Sequence, residues 1–279
     1  DHEREFTVQR MCHALGVRRS GYYAWKRRPR TMQDQANEDL LNKIREAFEH
    51  SRGTYGSVRI RQYWLRRGYD FSRHRVARWM KKAQLIPRKA EKWHPQTTRQ
   101  RQGARVAPNL LNQDFSASRP NEKWVGDITY IATREGWLYL ASIMDLFSRR
   151  IIGWAMADRM DTQLVVRAWK MAVLNRRPKA QLMHHTDRGS QYTSEVYLQL
   201  LEKAGCRVSM SRTGNCYDNS AMESFFATLK GECAYRPFAN RKDAETKIFE
   251  YIEIWYNRQR MHSSLGYLSP VEFEQSSGH

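Results

Sequence analysis

The chain has 279 residues, enough for a full core and more than one domain. Its net charge of +19, from 48 Lys and Arg against 29 Asp and Glu, points to a polyanionic partner. No run of 18 apolar residues occurs, which excludes a membrane-spanning helix, and the four cysteines, Cys12, Cys206, Cys216 and Cys233, lack the paired spacing of a zinc site and read as buried or free thiols. The charge is uneven: residues 1–119 carry 27 basic and 11 acidic residues, residues 120–279 carry 21 and 18. The first part is therefore the expected nucleic-acid-gripping part, and the second has room for acidic metal ligands.

In chain order, Val8, Met11, Cys12 and Leu15 share one face of a short helix that Gly16 can close. A second helix is expected from Val17 to Trp25. The pair reads as a helix-turn-helix with Arg18 and Arg19 opening its second helix, where a recognition helix meets a major groove. A small packed helical pair with solvated arginines fits the same residues. Lys26 to Arg30 is a basic linker. Residues 37–88 predict three helices, with Leu40, Leu41, Ile44, Ala47 and Phe48 on the face of the first. Val76, Trp79, Met80 and Ala83 lie on the face of the third, which Ser72 caps. Arg75, Arg78 and Lys82 recur at i, i+3 and i+7 on another face of that helix, a pattern suited to DNA. Residues 89–120 have little periodicity and contain Pro95, Gly103, Pro108 and Pro120, as expected of a linker or an extended arm across DNA.

Three β-rich runs follow at hairpin spacing, Trp124–Ile131, Trp137–Asp145 and Arg150–Ala157. Asp127 interrupts the first, and a charge inside a central strand is costly unless it is paired or metal-bound. Asp145 opens a turn. A helix capped by Asp161 or Thr162 buries Val165, Ala168, Trp169 and Ala172. A strand then ends at Asp187, in HHTDRGSQY, followed by a helix near Glu195–Ala204 and a short strand Arg207–Ser211. His184 and His185 point to opposite faces and suit packing or DNA contact better than metal. The loops at Gly189–Gln191 and Gly214–Asn215 are expected to be flexible.

YDNSAMESFFATLKGE predicts the next helix. Met222, Phe225, Phe226 and Leu229 form its buried face, and Glu223, Ala227 and Lys230 a strip beside it. Two Asp on strands and one Glu on a helix, with 35 residues between Asp187 and Glu223, could hold two divalent cations for phosphoryl transfer. Ser220-x-x-Glu223 is also a capping-box pattern, in which Glu223 only closes its own helix start. A last helix near Lys242–Asn257 buries Ala244, Ile248, Tyr251, Ile252 and Trp255. No chemical role can be read from RMHSSLGYLSP.

GDITYI, MDLFSRRIIGW, HHTDRGSQYTS, DNSAMESFFATLKGE and WYNRQRMHSSLGYLSP, in that order, resemble the catalytic protein of the bacterial insertion-sequence-three transposases, of the retroviral-integrase superfamily. The resemblance runs from about Asn121 to Pro270 and extends into the helices before it. It implies an α/β, RNase H-like core, a mixed five-stranded sheet with flanking helices, preceded by small all-α helix-turn-helix-like domains. It implies a catalytic and metal-binding triad Asp127, Asp187 and Glu223, two Mg²⁺ ions with Mn²⁺ as substitute, and a DNA-contacting Lys230. It also implies double-stranded DNA, both transposon ends and target, as partner, a branched circle as intermediate, and a homodimer or larger assembly on paired ends. A cytoplasmic, nucleoid-associated protein is expected. The resembled family often joins an upstream segment to this one, so the chain is expected to be a piece of a longer product. The expected divisions are 1–30, helix-turn-helix-like; 31–88, helical and DNA-binding; 89–120, basic linker; 121–235, catalytic core; and 236–279, helical extension. An RNase H-like nuclease that hydrolyses and stops, and an inert DNA-binding repressor, are the alternatives.

Overall fold

The computed structural model describes all residues except 1, 3, 4, 28, 30, 89–105, 180, 214 and 279. Most of the expected basic arm, parts of the Lys26–Arg30 linker and Gly214 therefore lie outside the described residues.

The sheet positions the site. Strands β1 (Lys123–Thr133), β2 (Gly136–Asp145) and β3 (Ile151–Ala157) form an antiparallel meander, and β4 (Met183–Thr186) and β5 (Arg207–Met210) add in parallel, in the order β3-β2-β1-β4-β5. This is the expected mixed five-stranded sheet. Side chains alternate along each strand, so the sheet buries two faces. On one, Trp124, Ala141, Ile143 and Ile152 pack with Leu164, Val165, Ala168, Trp169 and Ala172 of α6 (Thr162–Arg176) and with Tyr197 and Leu201 of α7 (Glu195–Lys203). A Cβ on Gly153 would collide with the Ala168 carbonyl and the Ala172 methyl, so α6 rests directly on β3 backbone. On the other face, Val125, Ile131, Leu140 and Met144 meet Met222, Phe225, Phe226 and Leu229 of α8 (Ser220–Glu232) and Ala244 and Ile248 of α9 (Arg241–Glu250).

Three helices, α3 (Met32–His50), α4 (Ser57–Leu65) and α5 (Arg73–Lys82), form the unit before the sheet, with Leu40, Ile44, Ala47, Ile60, Trp64, Val76 and Met80 buried. Thr31 and Asp34 form a capping box at the start of α3, and the Ser72 side chain caps α5 by accepting from Arg75 N. The unit is joined to the C-terminal segment: the Tyr55 hydroxyl accepts from Met261 N at 2.8 Å, and Arg66 pairs with Glu272 of α10 (Pro270–Ser276) at 2.7 Å. Before it, α1 (Val8–Ala14) is capped by Thr7, and α2 (Arg19–Arg27) has no buried residue; Arg18 and Arg19 are exposed.

One expected helix differs. The run Lys242–Asn257 is α only as far as Glu250, and Tyr251–Tyr256 forms a π-helical turn. From this turn the Tyr251 hydroxyl and Trp255 Nε1 both donate to Glu232 Oε2, at 3.0 and 3.1 Å, while Arg260 binds the same carboxylate at 2.8 Å. A second buried ionic cluster holds α10 against the sheet. Arg176 bridges Asp145 and Glu274 at 2.7 Å each, and Arg150 reaches Glu274 at 2.7 Å. Asp145 does open a turn, accepting from Phe147 N, and is also the fully buried anchor of this cluster.

Candidate active site

Strand β4 pairs with β1 from Lys123↔Met183 as far as Val125↔His185, while β1 continues to Thr133. Asp127 and Asp187 each stand two residues beyond that last pair. With a side-chain period of two, Asp127 shares the face of β1 that carries Val125, the face covered by α8, and Asp187 follows directly on the end of β4. Here neighbouring parallel strands part, the kind of crevice beyond strand ends where open α/β sheets bind their ligands. Glu223, on α8, is near enough to raise the Asp127 pKa.

The charges are felt mutually. The Asp127 carboxyl is raised well above the usual carboxylate range, first by burial, then by Asp187, and further by Glu223; the Ile128 N–H and Lys230 oppose the shift. Asp127 Oδ1 accepts from Ile128 N at 2.8 Å and Asp187 Oδ1 from Gly189 N at 2.9 Å. A Cβ on Gly189 would sit 3.0 Å from Asp187 Oδ1 and 3.1 Å from Gln191 Oε1, so a glycine suits this close turn. Among the described residues no group of three or more His, Cys, Asp and Glu side chains is drawn together closely enough to hold a metal ion. The donor set is nonetheless of the right chemistry: three hard oxygen donors whose repulsion a cation would relieve.

The capping-box reading of Glu223 does not hold. A 3-10 turn, Cys216–Asn219, runs straight into α8, so Asn219 is the N-cap and makes no side-chain cap. Instead Asn219 Nδ2 donates to Gly126 O at 3.2 Å, tying the start of α8 to β1 beside Asp127. Glu223 is exposed on the next turn. Lys230 is half-buried, with Nζ 4.6 Å from the Tyr130 ring centroid; burial lowers its pKa and Asp127 opposes that. Lys230→Ala should cost about 1 kcal/mol of stability, the size of a partly shielded cation–π contact. Thermal unfolding of the variant against the wild-type protein checks this.

Several residues that shape the site were not singled out from the sequence. The Tyr192 phenol is buried, and its pKa is raised by burial first, with Asp127 and Asp187 contributing. Asp218, fully buried, accepts from Arg212, Asn215, Asn109 and Gln113, joining residues 109–113 to the start of α8. The Gly189–Gln191 loop, expected to be flexible, is a hydrogen-bonded turn in which Gln191 is buried and donates to Met160 O at 2.9 Å. The two histidines pack as expected: His184 bonds the Tyr197 hydroxyl at 2.9 Å, His185 bonds Ser209 and Ser211, and burial lowers them to about 3 and about 4.

The basic face of α5 is only partly available. Arg78 and Lys82 are exposed, but Arg75 donates to Asn37 Oδ1 at 3.0 Å. Replacing Arg78 and Lys82 with Ala should therefore lower the salt slope of DNA binding by about two, and adding Arg75→Ala should change it little. Affinities over a salt series test this, and an unchanged slope removes the face from the interface.

The fold and this carboxylate-bearing crevice define a protein of the integrase-core class, and family models of an integrase core domain match residues 117–216 and 204–270. An HTH-like domain model matches residues 35–93, on α3–α5 rather than on the 1–30 pair. The transposase InsF for insertion sequence IS3A of Escherichia coli (strain K12) is 43% identical over 279 residues, 99% of this chain and 96% of the relative. An insertion element IS600 uncharacterized 31 kDa protein of Shigella sonnei is 46% identical over 266 residues, 95% and 97%. The HTLV-2 integrase catalytic core domain, solved in complex with magnesium, aligns at 16% identity and TM-score 0.44, over 57% of this chain and 99% of that one. The chain belongs to the insertion-sequence-three family of transposases. No helix among the described residues is long and apolar enough to cross a membrane.

Proposed function

We propose that the chain cuts DNA at transposon ends to leave a 3′-OH and then joins that 3′-OH to a second phosphodiester, with Asp127, Asp187 and Glu223 as the catalytic carboxylates. The observation that supports this reading is that Asp187 and Glu223 both raise the Asp127 pKa, beside the place where β1 and β4 part. Asp127 and Asp187 present oxygens held in place by backbone N–H groups, and Glu223 adds a third from α8. These three would hold two Mg²⁺ ions. Divalent cations supply activation of the attacking oxygen and relief of charge at the phosphate undergoing in-line transfer. Lys230, near Asp127, would hold a DNA phosphate in register with the carboxylates. No protein nucleophile is required. Two ends must be brought together, so at least a second copy is expected on DNA.

The test is incubation of pre-cut end DNA with the protein and Mg²⁺. Joined strands are expected. Cutting without joining would make it an RNase H-like nuclease, and neither reaction would make it a DNA-binding repressor.

A further inference from the structure

The RMHSS segment lines a cavity of about 330 Å³ that the carboxylate site does not use. Its volume lies at the lower end of the range for ligand sites. Three parts of the chain meet there: α4 of the HTH-like unit contributes Arg59, the turn after β2 contributes Arg149, and the segment after the π-helical turn contributes Arg260 and His262. The fourth wall is α8, through Ser220, Ser224 and Thr228. No Asp or Glu lines the cavity.

Its cations are unevenly satisfied. Arg260 is neutralised by Glu232 at 2.8 Å. Among the described residues, neither Arg59 nor Arg149 forms an ion pair. Among the described residues Arg149 donates to the Phe115 carbonyl alone, at 3.2 Å, and Arg59 lies over the Tyr55 ring at 5.7 Å. Both are half-buried, and burial lowers the pKa of both; Arg260 lowers that of Arg59 further. His262 is 7% exposed, and its Nε2 has no partner. Two partly desolvated guanidiniums without counter-ions are costly unless an anion completes them. Planar guanidiniums bind phosphate with paired N–H groups.

We infer that this cavity binds a backbone phosphate of the DNA strand being processed, and that RMHSS is the segment that builds it between the HTH-like unit and α8. The reading of the chain as a DNA-processing enzyme underlies the choice of DNA. Ser220, Ser224 and Thr228 recur every four residues on α8, the spacing of one helix face, and Glu223 lies on the neighbouring strip. The cavity and Glu223 thus share α8, on neighbouring strips of its surface. Arg59 reaches the same phosphate from the HTH-like unit, so one strand contact would couple end recognition to the reacting position.

The experiment measures binding of end DNA without divalent metal, over a salt series, so its failure is separate from failure of the carboxylate assignment, which is read in joining. Arg59→Gln with Arg149→Gln should weaken binding by about tenfold to a hundredfold, as for lost charge-assisted bonds. The salt slope should fall by about one, as for one phosphate. Because the pair of changes could disturb docking of the HTH-like unit, Ser224→Glu serves as the second variant. It places a carboxylate in the cavity, so it should raise the melting temperature while weakening DNA binding. A single neutral methylphosphonate, scanned along the end DNA, should reproduce the loss in wild-type protein at one position and add nothing in the double variant. Wild-type affinity and slope in the folded double variant, or in Ser224→Glu, would overturn the inference. So would equal loss at every scanned position. Inorganic phosphate that stabilises wild-type protein but not the double variant, with DNA binding unchanged in both, would mark a site for a free anion and overturn the assignment to DNA.

Discussion

Glu223→Gln should leave a folded protein that binds end DNA and neither cuts nor joins it in Mg²⁺. Gln keeps the size and one carbonyl oxygen but removes the charge a hard cation needs. Loss of an outer partner of a metal ligand already costs about tenfold to a hundredfold. Loss of a ligand should exceed that, and joining should fall by more than about a hundredfold. Gln would serve nearly as well in a capping box, but no capping box forms at α8, so nothing in the helix start compensates or complicates the result. Asp127→Asn should behave alike in joining, with a further signature. A carboxyl whose pKa is raised on folding binds more protons in the native state than in the unfolded chain. Its contribution is therefore full below the unfolded value and is lost as pH rises through the folded one. At neutral pH without metal, Asp127→Asn should raise the melting temperature, by about 2–4 °C for each kcal/mol of repulsion removed. Near-wild-type joining by folded Glu223→Gln protein would falsify the triad. A lower melting temperature for metal-free Asp127→Asn would contradict the crowding of charge at the crevice.

The largest effect on stability is expected far from that crevice. Arg176→Met should cost about 3–5 kcal/mol, the usual cost of leaving a buried partner charge unpaired. Arg176 serves two carboxylates, Asp145 with no exposure and Glu274 at 6%. Their environments differ: burial outweighs Arg176 at Asp145 and raises its carboxyl, whereas Arg176, Ser148 and Arg150 together hold Glu274 below its usual range. The substitution should loosen α10 first. Denaturant unfolding gives the cost, and hydrogen exchange in residues 270–276 locates it. A loss below about 1 kcal/mol would show that water replaces the guanidinium.

What could be read from the residues depended on whether the signal was local. The faces of α6 and α8 follow directly from apolar spacing, and Met222, Phe225, Phe226 and Leu229 are buried as a set. The three strands after residue 120 were legible for the same reason. The carboxylates were legible because they stand in ordered motifs, but composition alone left Glu223 between two roles. The 3-10 turn that moves the cap to Asn219 decides against the capping box, and no residue pattern announced that turn. Nothing local singles out Asp218 in YDNS. Its partners Asn109 and Gln113 lie over a hundred positions away, and no periodicity links such sites. The clusters around Arg176 and Arg260 were hidden likewise, because each joins segments brought together only by folding. The expected recognition role of Arg18 and Arg19 drew on a helix pair in which Cys12 is buried and α2 buries nothing.

The π-helical turn at Tyr251–Tyr256 stores a spare residue. A turn of this kind holds one residue more than an α-helical turn. Deleting a single residue there would close it to an α-helical turn of nearly the same angular advance, so Arg260, Met261 and His262 should keep their places. In the regular part of α9 the same deletion would rotate everything after it by about 100°. Related chains of this family should therefore tolerate loss of one residue in this turn more readily than in α9.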